Sequence, residues 1–533
     1  MMKMKLDNDI YEKLQKILGK RNVSNDPVIT QTYAFNWGNE TVNIRRGNEP
    51  SMFVDAPIAV VLPGSTEEVQ KTLKVINEVG LKFKAQSTGL GPWNCVSSED
   101  AVLVDLRRMN KIRKIDPKNM YAIVEPYVTG GNLQAELMKY NLNCHMPGAG
   151  PHVSPLASST SMCGPSFTSE STGFSGRNLL GTEWVLPDGK LVKIGSLGLK
   201  TNSRWFSGDG PGFSLRGVIR GASGAKSGLG IFTACAIKLY PYPCDTKWNI
   251  TGVSPNYEFE IPNFMEYHII RYRNWDAVED AMYRFTEEEI SFMIWSTSNV
   301  AVGALFSKDR ADFMNNVLNA ASLGKPLVIL ICANTKREFE YKKKMYTKIL
   351  EETKGKDLVQ KGKFVPSSKA FVEAIRHMLA FHGFIATGSF QSTFGGIDSI
   401  GLSYQMVKLN IPLKKEYIDK KLLPNDQGEG IFVTTYEYGQ YSHCEMPTMY
   451  NTNKKESRDG MVEYMEDCDD LALEENLNIP FFIEGDELHD KWGPHVCNYN
   501  VWLRKIKEAF DPKNSADSGF YISTEDELKE SKK

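Results

Sequence analysis

The sequence has no run of about 18 apolar residues, so it predicts no membrane span. Its first residues, MMKMKLDNDIYEKLQKIL, scatter charge throughout and hold no apolar core of a secretory leader. A charge excess of either sign is missing too. Lys and Arg number 63 against 65 Asp and Glu, a formal net charge of -2. That balance argues against nucleic acid or an anionic membrane surface as the main partner. No C-x-x-C occurs among the nine cysteines, which are scattered through the chain. Such spacing reads as free thiols in a reducing cytoplasm and does not suit an iron–sulfur cluster. The P-loop pattern G-x-x-x-x-G-K-[ST] is absent, and no G-x-G-x-x-G with a following acidic residue is present in good form. Internal repeats and low-complexity segments are lacking as well.

What is there is long and ordinary in composition. At roughly 150 residues per domain, 533 residues predict two to four domains. Hydrophobic residues make up 41% and charged residues 24%, as in globular proteins generally. PIAVVLPGS, residues 57–65, reads as a buried strand ending in a turn. STEEVQKTLKVINEVG, residues 65–80, is a helix with Ser65 as N-cap, Glu68 as its capping-box partner and Gly80 as its stop. LKFKA, AVLVDLRRM and YAIVEPYV are further strands, so a βαβ unit with parallel pairing is expected. Residues 145–178 show hardly any periodicity and are dense in Gly, Ser, Thr and Pro; a loop of this length is read as functional. TEWVLPDGKLVKI predicts a hairpin turning at Asp188-Gly189. A second Gly/Ser stretch, 221–230, feeds a strand that Tyr-Pro-Tyr-Pro breaks, which places a domain boundary near 245. Beyond it, helices over 274–286 and 308–319 alternate with strands such as SFMIW and PLVILICAN, an α+β texture. The expected domains are 1–245, 246–485 and a returning C-terminal segment 486–533.

One short stretch asks for a reason. KAQSTGLGPWN, residues 84–94, sets Ser87, Thr88, Gly89 and Gly91 between two ordered elements. It is either a plain turn or an anion cradle built from backbone N–H groups. Its neighbours decide. VVLPGSTEEVQKTLKVINE, QSTGLGPWN, AVLVDLRRMNKIRKID, YAIVEPYVTGGNLQAEL, TEWVLPDGKLV and GLGIFTACAIKLYPYP occur in an order that resembles the FAD-binding domain of the vanillyl-alcohol oxidase and p-cresol methylhydroxylase superfamily. IKEAFDPKN resembles that family's closing segment, while 250–480 resembles its cap domain loosely. The resemblance implies an α+β chain: a PCMH-type two-subdomain FAD-binding domain plus a ferredoxin-like α+β cap. It implies that Gln86, Ser87, Thr88, Gly89, Leu90, Gly91, Pro92, Trp93 and Asn94 hold the FAD diphosphate, with Ser87 and Thr88 donating. Pro147, Gly148, Ser154, Ser158, Ser159, Cys163 and Gly164 would line the flavin ring, and Gly228, Gly230 and Ile231 the other half of FAD. Cys163 stands where the family usually has glycine, as does Tyr127. The first loop has no histidine for a covalent flavin link, and non-covalent FAD is expected even with His145 and His152 in the second loop.

Catalytic candidates come from YEYGQYSHCEMPTMYN, residues 436–451. Alternation puts Tyr441, His443 and Glu445 on one strand face. A histidine beside a carboxylate makes a general base, or half of a divalent metal site; no metal is expected, because a second His motif is not clear. Arg271 and Arg273 are candidates for a substrate carboxylate, with Arg273 preferred. His489 and His495 flank Trp492, while His377 and His382 read as an ordinary helix end. Three functions stay open: an FAD-dependent oxidoreductase acting on an alcohol, a 2-hydroxy acid or a phenol; a non-redox FAD transferase like the alkyl-glycerone phosphate synthases; and a flavin-binding subunit of a larger redox assembly. The expected partners are a small-molecule substrate, an electron-transfer protein and a second copy of the chain; the expected location is the cytoplasm.

Overall fold

The computed structural model describes residues 6–36, 38–45, 47–89, 91–145, 150–162, 164–198, 205, 214–221, 224–252, 258–298, 324–359, 388–477 and 484–531. The helix expected over 308–319, and His377 and His382, lie outside the described residues.

The first sheet has the order Val23–Ser24, Ala59–Val61, Ala101–Asp105, Lys82–Gln86. Its last three strands run parallel, as the βαβ pattern requires. The crossover helix Thr66–Glu78 is set by its caps. Ser65 accepts from the Glu68 N–H, and Glu68 accepts from the N–H of Gly64, one residue further out than a standard capping box. Gly80 takes φ +75, and the Leu81 N–H closes the helix end onto the Ile76 carbonyl. The helix buries Val69, Leu73 and Ile76 against Val61, Val102 and Val104.

The second sheet is antiparallel, ordered Ile112–Asp116, Tyr121–Val124, Ile231–Pro241, Leu179–Val185, Leu191–Ile194, with Leu142–Cys144 pairing on Ile231–Pro241. The expected hairpin is its Leu179–Ile194 edge, with Gly189 at φ +82 in the turn. Near its C-terminal end the chain returns to the first sheet. The Phe83 N–H donates to the Ser515 carbonyl, and the Asp517 N–H to that of Phe83, which covers the Lys82–Gln86 edge.

A third, seven-stranded sheet is antiparallel throughout, ordered Lys356–Asp357, Met265–Tyr272, Lys325–Cys332, Met293–Thr297, Phe432–Tyr436, Tyr441–Asn451, Gly388–Asp398. Helices Trp275–Glu287, Lys336–Glu352, Ile400–Asp419 and Lys455–Glu474 share one large apolar core with it. A second cluster joins Tyr267, Ile269, Met293, Trp295 and Val328 of this sheet to Tyr242 and Phe167, from the sequence preceding it. Over its described residues, the long aperiodic stretch 145–178 is more ordered than its composition suggests. It holds the short helices Pro155–Thr160, Ser169–Thr172 and Ser175–Asn178, each too brief to show a repeat.

Candidate active site

The Gln86–Asn94 loop leaves the C-terminal end of a parallel strand, where α/β sheets open toward ligands. Gly89 and Gly91 have φ +77 and +85. A Cβ at Gly91 would lie 2.3 Å from the Trp93 ring, so any other residue would have to displace that ring. The Gly91 carbonyl accepts from the Asn36 and Asn94 side chains at 2.6 and 3.0 Å, and the following Pro92 has no N–H to offer. The expectation for Ser87 needs correction. Its hydroxyl donates to the Pro126 carbonyl at 2.6 Å, so its proton is committed within the protein and the oxygen is left to accept. Leu90 lies outside the described residues.

Two further stretches are tied to this loop. Ser154 caps the Pro155–Thr160 helix, on which Ser158 and Ser159 are buried. The Ala225 and Lys226 N–H groups donate to the Thr160 and Ser161 carbonyls, and a Cβ on Gly224 would lie 2.6 Å from Ser161. The Ala85 N–H donates to Ser227 Oγ at 2.9 Å, and Lys84 Nζ to the Lys226 carbonyl at 3.1 Å. Gly230, at φ +117, would carry a Cβ 2.3 Å from the Val185 carbonyl, and Gly228 one 2.2 Å from Tyr521. Ile231 then opens the buried central strand. Beside Gly164, by contrast, a Cβ would meet nothing within 4 Å. Close-packed backbone beside open space is what a cofactor lying along these loops needs. Pro147, Gly148 and Cys163 lie outside the described residues. His145 is buried, with Nδ1 3.2 Å from Thr172 Oγ1, and burial pushes its pKa down to about 4. His152 is lowered by burial as well.

Facing these loops is the seven-stranded sheet. One register row runs Ile269, Val328, Trp295, Thr434, His443, Ile397. His443 is fully buried, and its Nε2 lies 2.9 Å from Glu445 Oε1. Ser392 Oγ donates to the other carboxylate oxygen at 3.1 Å. Phe432 and Tyr436 stand edge-on to the imidazole at 6.1 and 6.2 Å. Tyr441 stacks on Tyr436 at 4.7 Å and donates to Glu437. The expected trio thus shares one face. Phe167 packs on Trp295 and Phe432, and Phe174 on Tyr436, so this face meets the 154–178 segment.

Arg273 is not brought there. It is exposed, one residue past the strand Met265–Tyr272, which lies four strand steps from Tyr441–Asn451. At ~4.8 Å per step that is roughly 19 Å across the sheet. Arg271 is buried, donates to the Gly324 carbonyl at 3.1 Å, and has its pKa lowered to about 10 by burial. His489 is buried against Tyr499, with a pKa depressed to about 3, mainly by burial and then by the Lys226 charge. Among the described residues no three His, Cys, Asp or Glu side chains group as metal ligands.

Two residues escaped the sequence reading. Arg177 spans to Glu437 at 3.2 Å, and Glu170 is buried against Ser291 and Thr435. A signal was available: they are the only Asp, Glu, Lys or Arg between Cys144 and Thr182.

Residues 57–195 match a family described as an FAD binding domain. Over 195 residues the chain is 31% identical to the 4-cresol dehydrogenase (hydroxylating) flavoprotein subunit of Pseudomonas putida, covering 35% of this chain and 36% of the relative. Over 272 residues it is 25% identical to D-lactate dehydrogenase of Anaerostipes hadrus, covering 50% and 51%. The chain thus spans about half or less of these relatives' own length. Among solved structures, p-cresol methylhydroxylase with substrate bound is similar over 96% of this chain and 97% of that one, with TM-score 0.71 and 17% identity. The isoeugenol complex of 4-ethylphenol oxidase from Gulosibacter chungangensis follows at 0.70 and 16%, with 97% of both chains covered. Alkyldihydroxyacetonephosphate synthase reaches 0.64 and 16%, covering 97% of this chain and 85% of that one. Matched domain and shared fold define an FAD-binding flavoprotein. FAD is the cofactor of the matched domain, and the whole chain shares the fold of p-cresol methylhydroxylase and 4-ethylphenol oxidase. Among the described residues no helix is long and apolar enough to cross a membrane.

Proposed function

We propose that this chain is an FAD-dependent oxidoreductase acting on an aromatic alcohol or alkylphenol, with electrons passed to a separate acceptor. The observation that carries the reading is the buried His443–Glu445 pair, set among Phe432, Tyr436 and Tyr441 on the face that meets the flavin-side loops. FAD, when bound, supplies the two-electron chemistry by taking hydride from substrate carbon. Gln86–Asn94, Ser154–Gly164 and Gly224–Ile231 would hold it without a covalent bond. The chain's own residues do the rest. Rings of Phe432, Tyr436 and Tyr441 offer a flat aromatic substrate stacking and edge contacts. Glu445 engages Nε2 of His443, which fixes the tautomer and supports positive charge on the ring. His443 is then the residue that takes the proton of a substrate hydroxyl as the C–H bond breaks. The 4-cresol dehydrogenase subunit and the 4-ethylphenol oxidase fold support a phenolic substrate, while the lactate enzyme supports a 2-hydroxy acid. The aromatic wall favours the former, and Arg273, four strand steps away, is not placed to hold a carboxylate there. An electron-transfer protein is the acceptor we favour.

The test is anaerobic bleaching of the flavin band by 4-alkylphenols and 4-hydroxybenzyl alcohols, against lactate and glycolate. Bleaching by the phenols alone supports the reading. Bleaching by the hydroxy acids alone overturns the substrate class. A loaded flavin that none of them reduces points to a transferase or a flavin-binding subunit.

A further inference from the structure

Glu170 sits on the single-turn helix Ser169–Thr172 and has no exposed surface. Its carboxyl group accepts from Ser291 Oγ at 3.2 Å and from Thr435 Oγ1. Its own carbonyl accepts from the Tyr438 N–H at 2.9 Å, and the Ser169 carbonyl from the Glu437 N–H at 3.3 Å. Three separate parts of the seven-stranded sheet therefore end on two adjacent residues of the flavin-side segment: the entry to Met293–Thr297, the strand Phe432–Tyr436, and the turn 437–440. That turn is strained. Glu437, Tyr438 and Gly439 are left-handed in succession, at φ 48, 57 and 80. Two of the three carry side chains, and such a run persists only where its surroundings hold it. Gly173 completes the seat, since a Cβ there would lie 2.7 Å from Glu437 Oε1.

We propose that Glu170 is a positioning residue that locks the turn 437–440, and with it the strands bearing Tyr436, Tyr441 and His443, onto the flavin-side loops. The inference rests on the reading of that face as the substrate site. The lock itself needs no substrate. Two hydroxyls are modest partners for a buried carboxylate, and the protonated acid bonds to them equally well. Burial pushes the Glu170 pKa up to about 7, Glu289 adds to the rise, and the two hydroxyls oppose it. Of the turn's own titratable groups, Tyr438 is raised by burial and by Glu170, Glu289 and Glu338, and Glu437 is paired with Arg177. The docked state therefore binds a proton that the opened state, with its solvated carboxyl near 4.5, gives up. Docking is tightest below that value and weakens as pH rises toward 7.

The experiment measures hydrogen-exchange protection in peptides covering 434–442 of the FAD-loaded chain, corrected for intrinsic rates. Protection in the unmodified protein should fall roughly tenfold or more between about pH 5 and about pH 8. Glu170→Gln, which cannot ionise, should flatten that profile and keep its FAD. Parallel profiles for the two proteins overturn the proposal. If Glu170→Gln does not fold, Thr435→Val replaces it. Loss of one hydroxyl should move the midpoint to higher pH, and an unmoved midpoint overturns the lock. No substrate is needed, so a pH-dependent turn in a protein that oxidises nothing would refute the proposed reaction and leave the lock standing.

Discussion

The guanidinium carbon of Arg177 lies 4.4 Å from the centre of the Tyr441 ring, whose other neighbour in the stack is Tyr436. The same guanidinium reaches Glu437, which in turn accepts from the Tyr441 hydroxyl. Arg177, on the short helix Ser175–Asn178, thus braces a tyrosine of the proposed substrate wall, directly and through Glu437, which is 260 positions away in sequence. The Arg177 side chain is 54% exposed, so its ion pair is screened. Arg177→Ala should cost about 1 kcal/mol, mostly the cation–π contact, and raise KM several-fold at constant FAD content. Arg177→Lys should restore less than half, because a point charge does not stack. An unchanged KM in Arg177→Ala would make the stack irrelevant to binding.

His443→Gln should slow substrate-linked flavin reduction by about 10²- to 10⁴-fold, the usual worth of a positioned base. Glu445→Gln should lose less, since the ring keeps a hydrogen-bond partner. Both variants should bind FAD normally. Stopped-flow reduction with saturating substrate separates this from a binding defect, and near-normal rates in His443→Gln would remove it from the chemistry.

Gly91→Ala and Gly230→Ala address the cofactor loops. The first adds a Cβ 2.3 Å from the Trp93 ring, a side chain that can shift; the second adds one 2.3 Å from the Val185 carbonyl, which cannot without moving the central strand pair. Both positions also need positive φ. Gly91→Ala should fold and bind FAD more weakly, by roughly tenfold, whereas Gly230→Ala should lose stability as well, by about 1–3 kcal/mol. Flavin fluorescence titration and thermal unfolding of the two variants tell these outcomes apart.

The fold was legible where its signals are local. Caps at Ser65 and Gly80 mark one helix, and Asp188-Gly189 marks one hairpin, because each depends on a few neighbouring residues. The trio Tyr441, His443 and Glu445 was legible because strand alternation is local too. Arg273 misled because the sequence shows a strand's end and not the sheet's order, and four intervening strand steps separate it from the trio. Glu170 and Thr435 meet across 265 residues, and no local pattern encodes such a meeting. Ser87 was read correctly as part of the loop, but its hydroxyl is claimed by Pro126, a neighbour only in the folded chain.

His145 gives a pH prediction on the acid side. Burial holds its pKa at about 4, below the ordinary 6.5, so the fold carries it neutral. Between those values the unfolded chain binds the extra proton, and stability falls as pH drops from 6.5 toward 4. His145→Gln removes that proton and should flatten this part of the stability profile. Urea unfolding at several pH values checks it, and equal slopes in both proteins would assign the acid sensitivity elsewhere.

Lys507 and Asp511 form an ion pair with neither side chain exposed. Lys507 Nζ also donates to the carbonyls of Gly228 and Ala516, at 2.9 and 3.0 Å. Asp511 accepts from the Ser515 and Ala516 N–H groups. One lysine therefore ties the helix Tyr499–Phe510 to the Gly/Ser loop of the cofactor site and to the segment covering the first sheet's edge. Lys507→Met strands a buried carboxylate and should cost about 3–5 kcal/mol. Asp511→Asn keeps one of the two backbone acceptances and leaves Lys507 its two carbonyls, so it should cost less. If the tie to Gly228 positions the loop for FAD, Lys507→Met should weaken FAD binding more than Asp511→Asn does, even when the two are compared at equal fraction folded. Equal FAD affinities at equal fraction folded would confine the pair to holding the C-terminal segment in place.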